Sequence, residues 1–588
     1  MTTARFDDLR PGRRRSFLLR DCTEELVAHS VDEVSAVLAR AEAAVAAGAW
    51  VAGWVSYEAA PAFEPAARVR ETAGTPLAEL PLAWFGVFDR REPAAGPSGD
   101  AEVQGWTPTI SAERHAADIS RIRELIGRGE TYQVNHTFRL AGSFAGDSAD
   151  LYARLAQAQR GGFGAHLEAG RWAVASASPE LFFDWSRGRI TCRPMKGTAA
   201  RGVDTATDAA ARDGLLASEK ERAENLMIVD MVRNDLARVA VPGTVAVPEL
   251  FCTERYDTVW QLTSTVTADV REGVGLVDVF AALFPCASIT GAPRVSTMSI
   301  IADLETTPRG VYCGAIGFGG PGRGWVFNVG IRTVLVDRER GTAWYGTGGG
   351  ITHDSTAAGE YAEALLKAEV LTRVPVPFSL LETMRWEADG GEVRSWARHL
   401  ARLRSSAEYF GIPLDEDAIA GVVTAAVGRG ASAAGEQGDL RVRLLVDQEG
   451  IASAEASPVP EQGAGPVRLA LDDVPVSTGD PFLRHKTTRR EVYDAARSRH
   501  PEADDVVLVN ERGEVTETTV ANIAARVDGR WLTPPLDSGC LPGVTRAGLL
   551  ADGDLVEAVL TADDLRHAEA LARFNAVRGW QPVVLVEG

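Results

Sequence analysis

KERAENLMIVDMVRNDLARV, residues 220–239, is the stretch on which the first half of the chain turns. Leu226, Val229, Val232, Leu236 and Val239 recur at three- and four-residue steps, so the spacing predicts a helix with one apolar stripe. Glu221 and Glu224 lie three apart on it and project from one face. The pair recurs downstream as Glu360 and Glu363 in GEYAEALLKA. Two like-charged pairs repel unless cations or water neutralise them. Gathered around one site, they suit a hard divalent ion such as Mg2+, which takes oxygen ligands and keeps waters. E-x-x-E is equally at home on a plain solvated helix face, so spacing alone leaves both readings open.

Around this helix the chain is rich in strands. RWAVASA, LFFDW and GRITCR precede it, and GVYCGAIGFG, WVFNVGIRTVLVD and TAWYGTGGG follow, with glycines at the turns. The pattern is α+β rather than strict βαβ alternation. No G-x-G-x-x-G opens a helix after a strand, which argues against a dinucleotide fold. REPAAGPSGDAEVQG (91–105) reads as a long loop. TRVPVPF (372–378) follows a charged helical stretch, and Pro375 and Pro377 would end that helix and hold an extended connector. The expected organisation is a first domain at 1–372, with an N-terminal part at 1–90 and a core at about 110–370. A linker at 373–377 and a second domain at 378–588 complete it. ASAAGEQGD (431–439) and SPVPEQGAGP (457–466) read as loops within the second domain.

The 588 residues are 45% hydrophobic, enough for more than one core at about 150 residues per domain. A net charge of −20 disfavours nucleic acid or an anionic membrane as partner. Cys22, Cys192, Cys252, Cys286, Cys313 and Cys540 are scattered without a C-x-x-C, a reduced, cytoplasmic pattern. The longest apolar run, 43–55, is too short to span a bilayer, and the N-terminus lacks the apolar core of an export signal.

One residue is out of place. In TCRPMKGTAAR (191–201), Lys196 sits in a short Pro-to-Gly-Thr turn that ends a strand-like run. A long amine there is either a solvated surface charge or a nucleophile aimed into a pocket.

YQVNHTFRL (132–140), SASPELFFD (176–184), RPMKGTAAR (193–201), the helix at 220–239, FPCASITGAPRVSTMSII (284–301), RGVYCGAIGF (309–318), NVGIRT (328–333) and GGGITHDSTAAGEYAEALLKA (348–368) occur in this order. Together they resemble the chorismate-utilising enzymes over roughly residues 110–370. The resemblance implies a large α/β sandwich-type domain in which Glu221, Glu224, Glu360 and Glu363 form a magnesium shell for the ring carboxylate of chorismate. It makes Glu180 the acid that protonates the departing C4 hydroxyl. Tyr312 and Arg332 would contact the enolpyruvyl carboxylate, and Gly197, Thr198, Gly348, Gly349 and Gly350 would let backbone approach an anion. Relatives that add water carry a lysine where this chain has Gln133, and anthranilate-type relatives carry a small residue where it has Lys196. The resemblance therefore points to the aminodeoxychorismate group, in which this lysine attacks C2 and needs a lowered pKa to do so. Three positions depart from the family pattern: Gln261 for histidine, Arg294 for lysine, and Cys286-Ala287 for small residues.

ETMRW (382–386), ARHLARLRSSAEYFGI (397–412), LRHKTTRREVYDAAR (483–497), NERGEVTETTVANI (510–523), LPGVTRAGLL (541–550) and FNAVRG (574–579) resemble the fold-type IV pyridoxal-phosphate enzymes, a two-subdomain fold. That likeness makes Lys486 the lysine that bonds pyridoxal 5'-phosphate. Glu517 would pair with the pyridine nitrogen, and Arg402, Val544 and Thr545 would hold the phosphate. Asn522 would shape the turn beside Glu517, and Tyr493 would contact the cofactor's phenolic oxygen. No cysteine stands in a G-x-C-x-G elbow, so ammonia would come from a separate glutamine amidotransferase subunit or from solution, and a homodimer through the second domain would fit the resemblance. The combined expectation is an aminodeoxychorismate synthase joined to an aminodeoxychorismate lyase, producing 4-aminobenzoate. The alternatives are an anthranilate-type synthase fused to a branched-chain or D-amino-acid transaminase, or a second half that is a non-catalytic interaction module.

Overall fold

The structure, a computed structural model, describes residues 2–10, 13–373, 376–434, 438–461 and 465–586. Val374 and Pro375 of the expected linker, and residues 435–437 and 462–464 of the two expected loops, lie outside the described residues. The chain divides into two compact units: 1–200 with 212–375, and 201–211 with 376–588. No composition shift marks 201–211 as part of the second unit.

In the first unit, eighteen strands among the described residues form one hydrogen-bonded network. Gly324–Val329 pairs with Leu181–Ser186, which pairs with Arg189–Arg193, which in turn pairs with Val259–Asp269. A second run leads from Trp172–Ser178 through Thr333–Asp337 and Thr342–Ile351 to Gln133–Ser143. Trp172–Ser178, WAVASAS, is buried along its whole length, and its alanines and serines leave little bulk on either face. Helices Val31–Ala46, Glu219–Ala237 and Leu276–Leu283 contribute to the main core, where Phe183, Phe280 and Phe327 meet with ring centroids 5.1–5.7 Å apart.

Helix Glu219–Ala237 is N-capped by Ser218, whose Oγ accepts from Glu221 N at 3.3 Å. Val229, Val232 and Leu236 are buried in the core, as is Val239 just beyond the helix. Leu226 is not: it is 43% exposed, and Ile228 is buried instead. The inward place at this end belongs to Asn225, whose amide donates to Lys196 O (3.1 Å) and Leu262 O (3.2 Å) and accepts from Ser264 Oγ (2.6 Å). Leu226, about 100° further round the helix, is therefore turned outward.

Among the described residues the second unit has two larger cores and two smaller apolar clusters. One is built on a four-stranded sheet that includes Leu380–Glu387, Leu440–Val446 and Ala452–Pro458, together with helix Trp396–Phe410. The other rests on an eight-stranded sheet of mixed parallel and antiparallel pairs. Residues 485–490, HKTTRR, are not helical; helix Glu491–Arg499 starts after them. Leu381 N donates to Lys486 O (2.9 Å) and Thr488 N to Ser379 O (2.9 Å), fixing this segment along the start of the four-stranded sheet.

Phe327→Ala should remove about 3–5 kcal/mol of stability, because its fully buried ring meets four other aromatic rings of the core. Denaturant unfolding followed by tryptophan fluorescence measures this; a loss below about 1 kcal/mol would contradict the packing described.

Candidate active site

The sequence places Lys196 in a turn, but the backbone makes it part of a β-bulge. Strand Met195–Ala200 pairs with Val259–Asp269 through Met195 opposite Thr263 and Thr198 opposite Gln261, so one extra residue is fitted between them. Gly197, at φ +100°, takes the strained place. A regular strand would alternate its side chains; the bulge re-aims Lys196. Its Nζ reaches the opposite wall, 2.9 Å from where a Cβ on Gly350 would stand, and Gln133 Nε2 is 2.5 Å from the same point. The side chain is partly exposed, and the atoms packed around it desolvate the amine. Burial lowers its pKa, the Lys367 charge lowers it further, and Glu224, Glu180 and Glu363 act in the opposite direction.

Gln133 opens the strand Gln133–Ser143, which is flanked on one side by Gly291–Ala292 and on the other by Thr342–Ile351. It is buried, and its Nε2 has no partner among the described residues. Glu180 sits between two strands and accepts from Ser288 Oγ at 2.6 Å. Burial pushes its pKa up to about 7, against the pull of that bond and of Lys196. Thr198 donates to Gln261 Oε1 at 3.2 Å, so the glutamine at the departing family position holds the rim of the bulge. Cys286 Sγ lies 3.2 Å from Ser288 Oγ, behind Glu180, and Arg294 is ion-paired with Asp235.

The four glutamates come from two helices, Glu219–Ala237 and Ala357–Ala368. Glu221 Oε2 lies 3.1 Å from a would-be Cβ on Gly197, and Glu360 Oε2 lies 3.0 Å from one on Gly349. Burial, with a facing carboxylate, pushes Glu224 and Glu360 up. Ser355 Oγ donates to Glu360 (2.6 Å) and Lys367 Nζ pairs with Glu363 (2.7 Å). No three of these carboxylates gather within 4.8 Å of one another. The group of described residues that does, Asp472, Asp473 and His500, lies in the second unit, where Arg499 already pairs with Asp472. The four carboxylates from two helices offer an all-oxygen set of the kind that Mg2+ takes.

Lys367 is the residue that sequence reasoning missed. It lies inside the quoted GEYAEALLKA motif, four residues after Glu363, and donates to Gly348 O at 3.0 Å. Its i,i+4 spacing from Glu363 was the available signal, and it looks like an ordinary surface pair. Arg332, at φ +51°, donates to Lys367 O, as does the Tyr345 hydroxyl at 2.9 Å. Tyr312 packs under Arg139, 4.7 Å from its ring, and against Gly346, where a Cβ would stand 2.2 Å from the ring. A Cβ on Gly348 would strike His136 O at 2.2 Å.

In the second unit a pocket of about 590 Å3 is lined by Lys486, Glu517, Asn522, Arg402, Val544 and Thr545 among others. Burial lowers the Lys486 pKa to about 8, assisted by Arg402. Burial raises Glu517 to about 7. Glu517 accepts from Tyr493 OH (2.9 Å) and Asn522 Nδ2 (3.3 Å), so Tyr493 is engaged with the acid rather than with a phenolic oxygen. Val544 and Thr545 open the helix Val544–Asp552, whose free N–H groups suit a phosphate. Arg402 is gripped in a fork by Glu382 (2.8 and 2.6 Å) and donates to Pro542 O (3.2 Å), beside that helix start. A buried amine, a protonatable acid and a helix N-terminus around one cavity are the donor set that pyridoxal phosphate requires.

Two partly buried lysines of lowered pKa, one in each unit, each under the influence of a carboxylate of raised pKa, mark two candidate centres. Residues 8–373 match the chorismate binding enzyme family, and 379–586 match amino-transferase class IV. The first match takes in more than half of the chain, and the protein belongs to the chorismate-binding enzymes. It is 40% identical over 270 residues to aminodeoxychorismate synthase component 1 of Klebsiella aerogenes, covering 45% of this chain and 58% of that protein. It is 37% identical over 285 residues to anthranilate synthase component 1 of Streptomyces coelicolor, covering 48% and 55%. The chain thus spans less than two thirds of the length of these curated relatives. Anthranilate synthase component I from Streptococcus pneumoniae shares the fold, with a TM-score of 0.54 at 24% identity over 62% of this chain and 93% of that one. No described helix is long and apolar enough to cross a membrane.

Gly350→Ala should leave the fold intact and weaken chorismate binding at least about tenfold, since its methyl would displace Gln133 Nε2 and Lys196 Nζ. Calorimetric titration with chorismate, beside an unchanged circular dichroism spectrum, checks this.

Proposed function

We propose that the first unit aminates chorismate at C4 and that the second converts the product to 4-aminobenzoate and pyruvate. The observation that carries this reading is the desolvated amine of Lys196 on its bulge, facing Gln133 and Gly350. A glutamine cannot activate water, which disfavours hydration of chorismate, and a nucleophilic amine suits a double displacement. Glu221, Glu224, Glu360 and Glu363 would hold Mg2+, which when bound neutralises the ring carboxylate. Lys367 adds a cation beside them. Neutral Lys196 attacks C2 while Glu180, protonated, gives its proton to the departing C4 hydroxyl. Ammonia from a separate amidotransferase then enters at C4 and expels the amine from C2, restoring Lys196. Tyr312 and Arg332 would contact the enolpyruvyl carboxylate.

In the second unit Lys486 would bond pyridoxal phosphate, with the phosphate at Val544 and Thr545 and the pyridine nitrogen at Glu517. When bound, that group supplies an electron sink for the substrate's amino-bearing carbon. Asn522 and Tyr493 hold Glu517 in place. Lys486 would take the C4 proton; the C3 ether would break to release enolpyruvate, which takes up a proton to become pyruvate, and the ring becomes aromatic. A transaminase would use the same residues; the lyase is favoured because it consumes what the first unit makes.

Lys196→Ala should abolish 4-aminobenzoate formation from chorismate, ammonia and Mg2+, and anthranilate as product would overturn the assignment. Glu180 must carry its proton, and its pKa is raised to about 7. The rate of chorismate amination should therefore fall as pH rises above about 7, and on the acid side as Lys196 gains a proton. Glu180→Gln should remove the alkaline limb and about 10^2–10^4 of the rate. Lys486→Ala should lose the cofactor's visible absorbance and accumulate the amino-chorismate, as chromatography would show; a colourless wild-type protein reconstituted with pyridoxal phosphate would sink the lyase reading.

A further inference from the structure

Nine arginine or lysine side chains line the pocket of the second unit against two carboxylates, Asp504 and Glu517, in a chain whose net charge is −20. Most of these cations are already engaged by the protein. Arg402 is held by Glu382, Arg573 by Asp505 and Gln581, and Arg490 by Thr519 O. Arg497 donates to Asp504 O at 3.0 Å. A phosphate at the helix start of Val544 and Thr545 would sit at the Arg402 side of the pocket. That leaves a group of guanidinium ions with no comparable partner.

Arg441 and Arg443 are two apart on strand Leu440–Val446, so both project from one face, roughly 7 Å apart. In register, Arg443 stands opposite Thr383, which also lines the pocket. The carboxylate nearest Arg443, Glu455, is 3.8 Å away and 73% exposed, and Arg441 makes a single 3.3 Å bond to Ser457 Oγ. Arg578 follows strand Ala570–Asn575; its backbone N–H bonds Asn575 Oδ1 at 2.9 Å, while its guanidinium has no partner among the described residues. An ordinary α-amino acid brings one carboxylate, which cannot occupy forks this far apart. The intermediate of the proposed reaction carries two, one on the ring and one on the enolpyruvyl arm.

We propose that Arg441, Arg443 and Arg578 form a carboxylate subsite that selects doubly anionic substrates in the second unit. This rests on the reading of that unit as a lyase, and guanidinium forks are the groups suited to it, since each can hold a carboxylate through two parallel bonds. The subsite gives specificity rather than chemistry: its loss affects capture of the substrate and not the proton transfer at Lys486.

The test uses the full chain loaded with pyridoxal phosphate. Isophthalate and benzoate are titrated against the cofactor's absorbance, and the KM for the amino-chorismate is measured. Wild type should bind isophthalate at least about tenfold more tightly than benzoate. In R441A/R443A that ratio should fall toward one and KM should rise about 10–100-fold with kcat within about threefold, while R441K/R443K should recover part of the preference. An unchanged ratio in R441A/R443A overturns the subsite. Unaltered cofactor absorbance and melting temperature in the variant exclude misfolding as the cause, and R578A gives a second, independent reading. If wild type yields no 4-aminobenzoate from the amino-chorismate, the lyase reading fails, while the isophthalate ratio still decides the subsite.

Discussion

A primary amine kept out of water among carboxylates is the constraint to which the first unit answers. Desolvation favours the neutral amine; Glu224, Glu180 and Glu363 favour the charged one. Lys367 shifts the balance toward neutrality by its own charge and by occupying Glu363. The geometry serves the same end. Asn225 ties the backbone of Lys196 to the helix that carries Glu221 and Glu224, so amine and acids are held in one frame. An unsatisfied carbonyl at Lys196 would cost about 1–3 kcal/mol, which is why a polar residue occupies the inward position where the apolar stripe predicts leucine.

The second unit solves a similar problem with a different supply of charge. Lys486 is made less basic by burial and by arginine, and Glu517 is kept protonatable by burial while two neighbours orient it. Its pocket concentrates positive charge in a protein that is strongly acidic overall. Such a pocket draws anions by field as well as by contact, whereas in the first unit Lys196 and Lys367 stand among carboxylates.

The family order of the motifs made both families legible in the sequence, and it singled out Lys196, Glu180, Gln133, Lys486 and Glu517 as candidates before any geometry. The two-unit, mixed helix-and-sheet architecture was also legible. What escaped were features that depend on three-dimensional neighbours. The bulge at Lys196 arises from a register mismatch with a strand some 65 residues away, and local pattern read it as a turn. Leu226 faces outward because of bonds to residues 196, 262 and 264. Lys367 resembled a surface ion pair because nothing local says that Gly348 lies against its end. The grouping of 201–211 with the second unit carries no compositional trace.

The glycines at 348–350 bear on how such a protein can change over evolution. Each is hemmed in by a different neighbour: backbone at His136, the Glu360 carboxylate, and the Gln133–Lys196 pair. A side chain at 348 would collide with backbone, and one at 349 or 350 would press on side chains of the candidate site, so this strand resists substitution. Diversification is easier at positions such as 133, 196, 198 and 261, where side chains already project. A fold arranged in this way can exchange one chemistry for another through a few substitutions at such positions, while the glycine strand stays fixed.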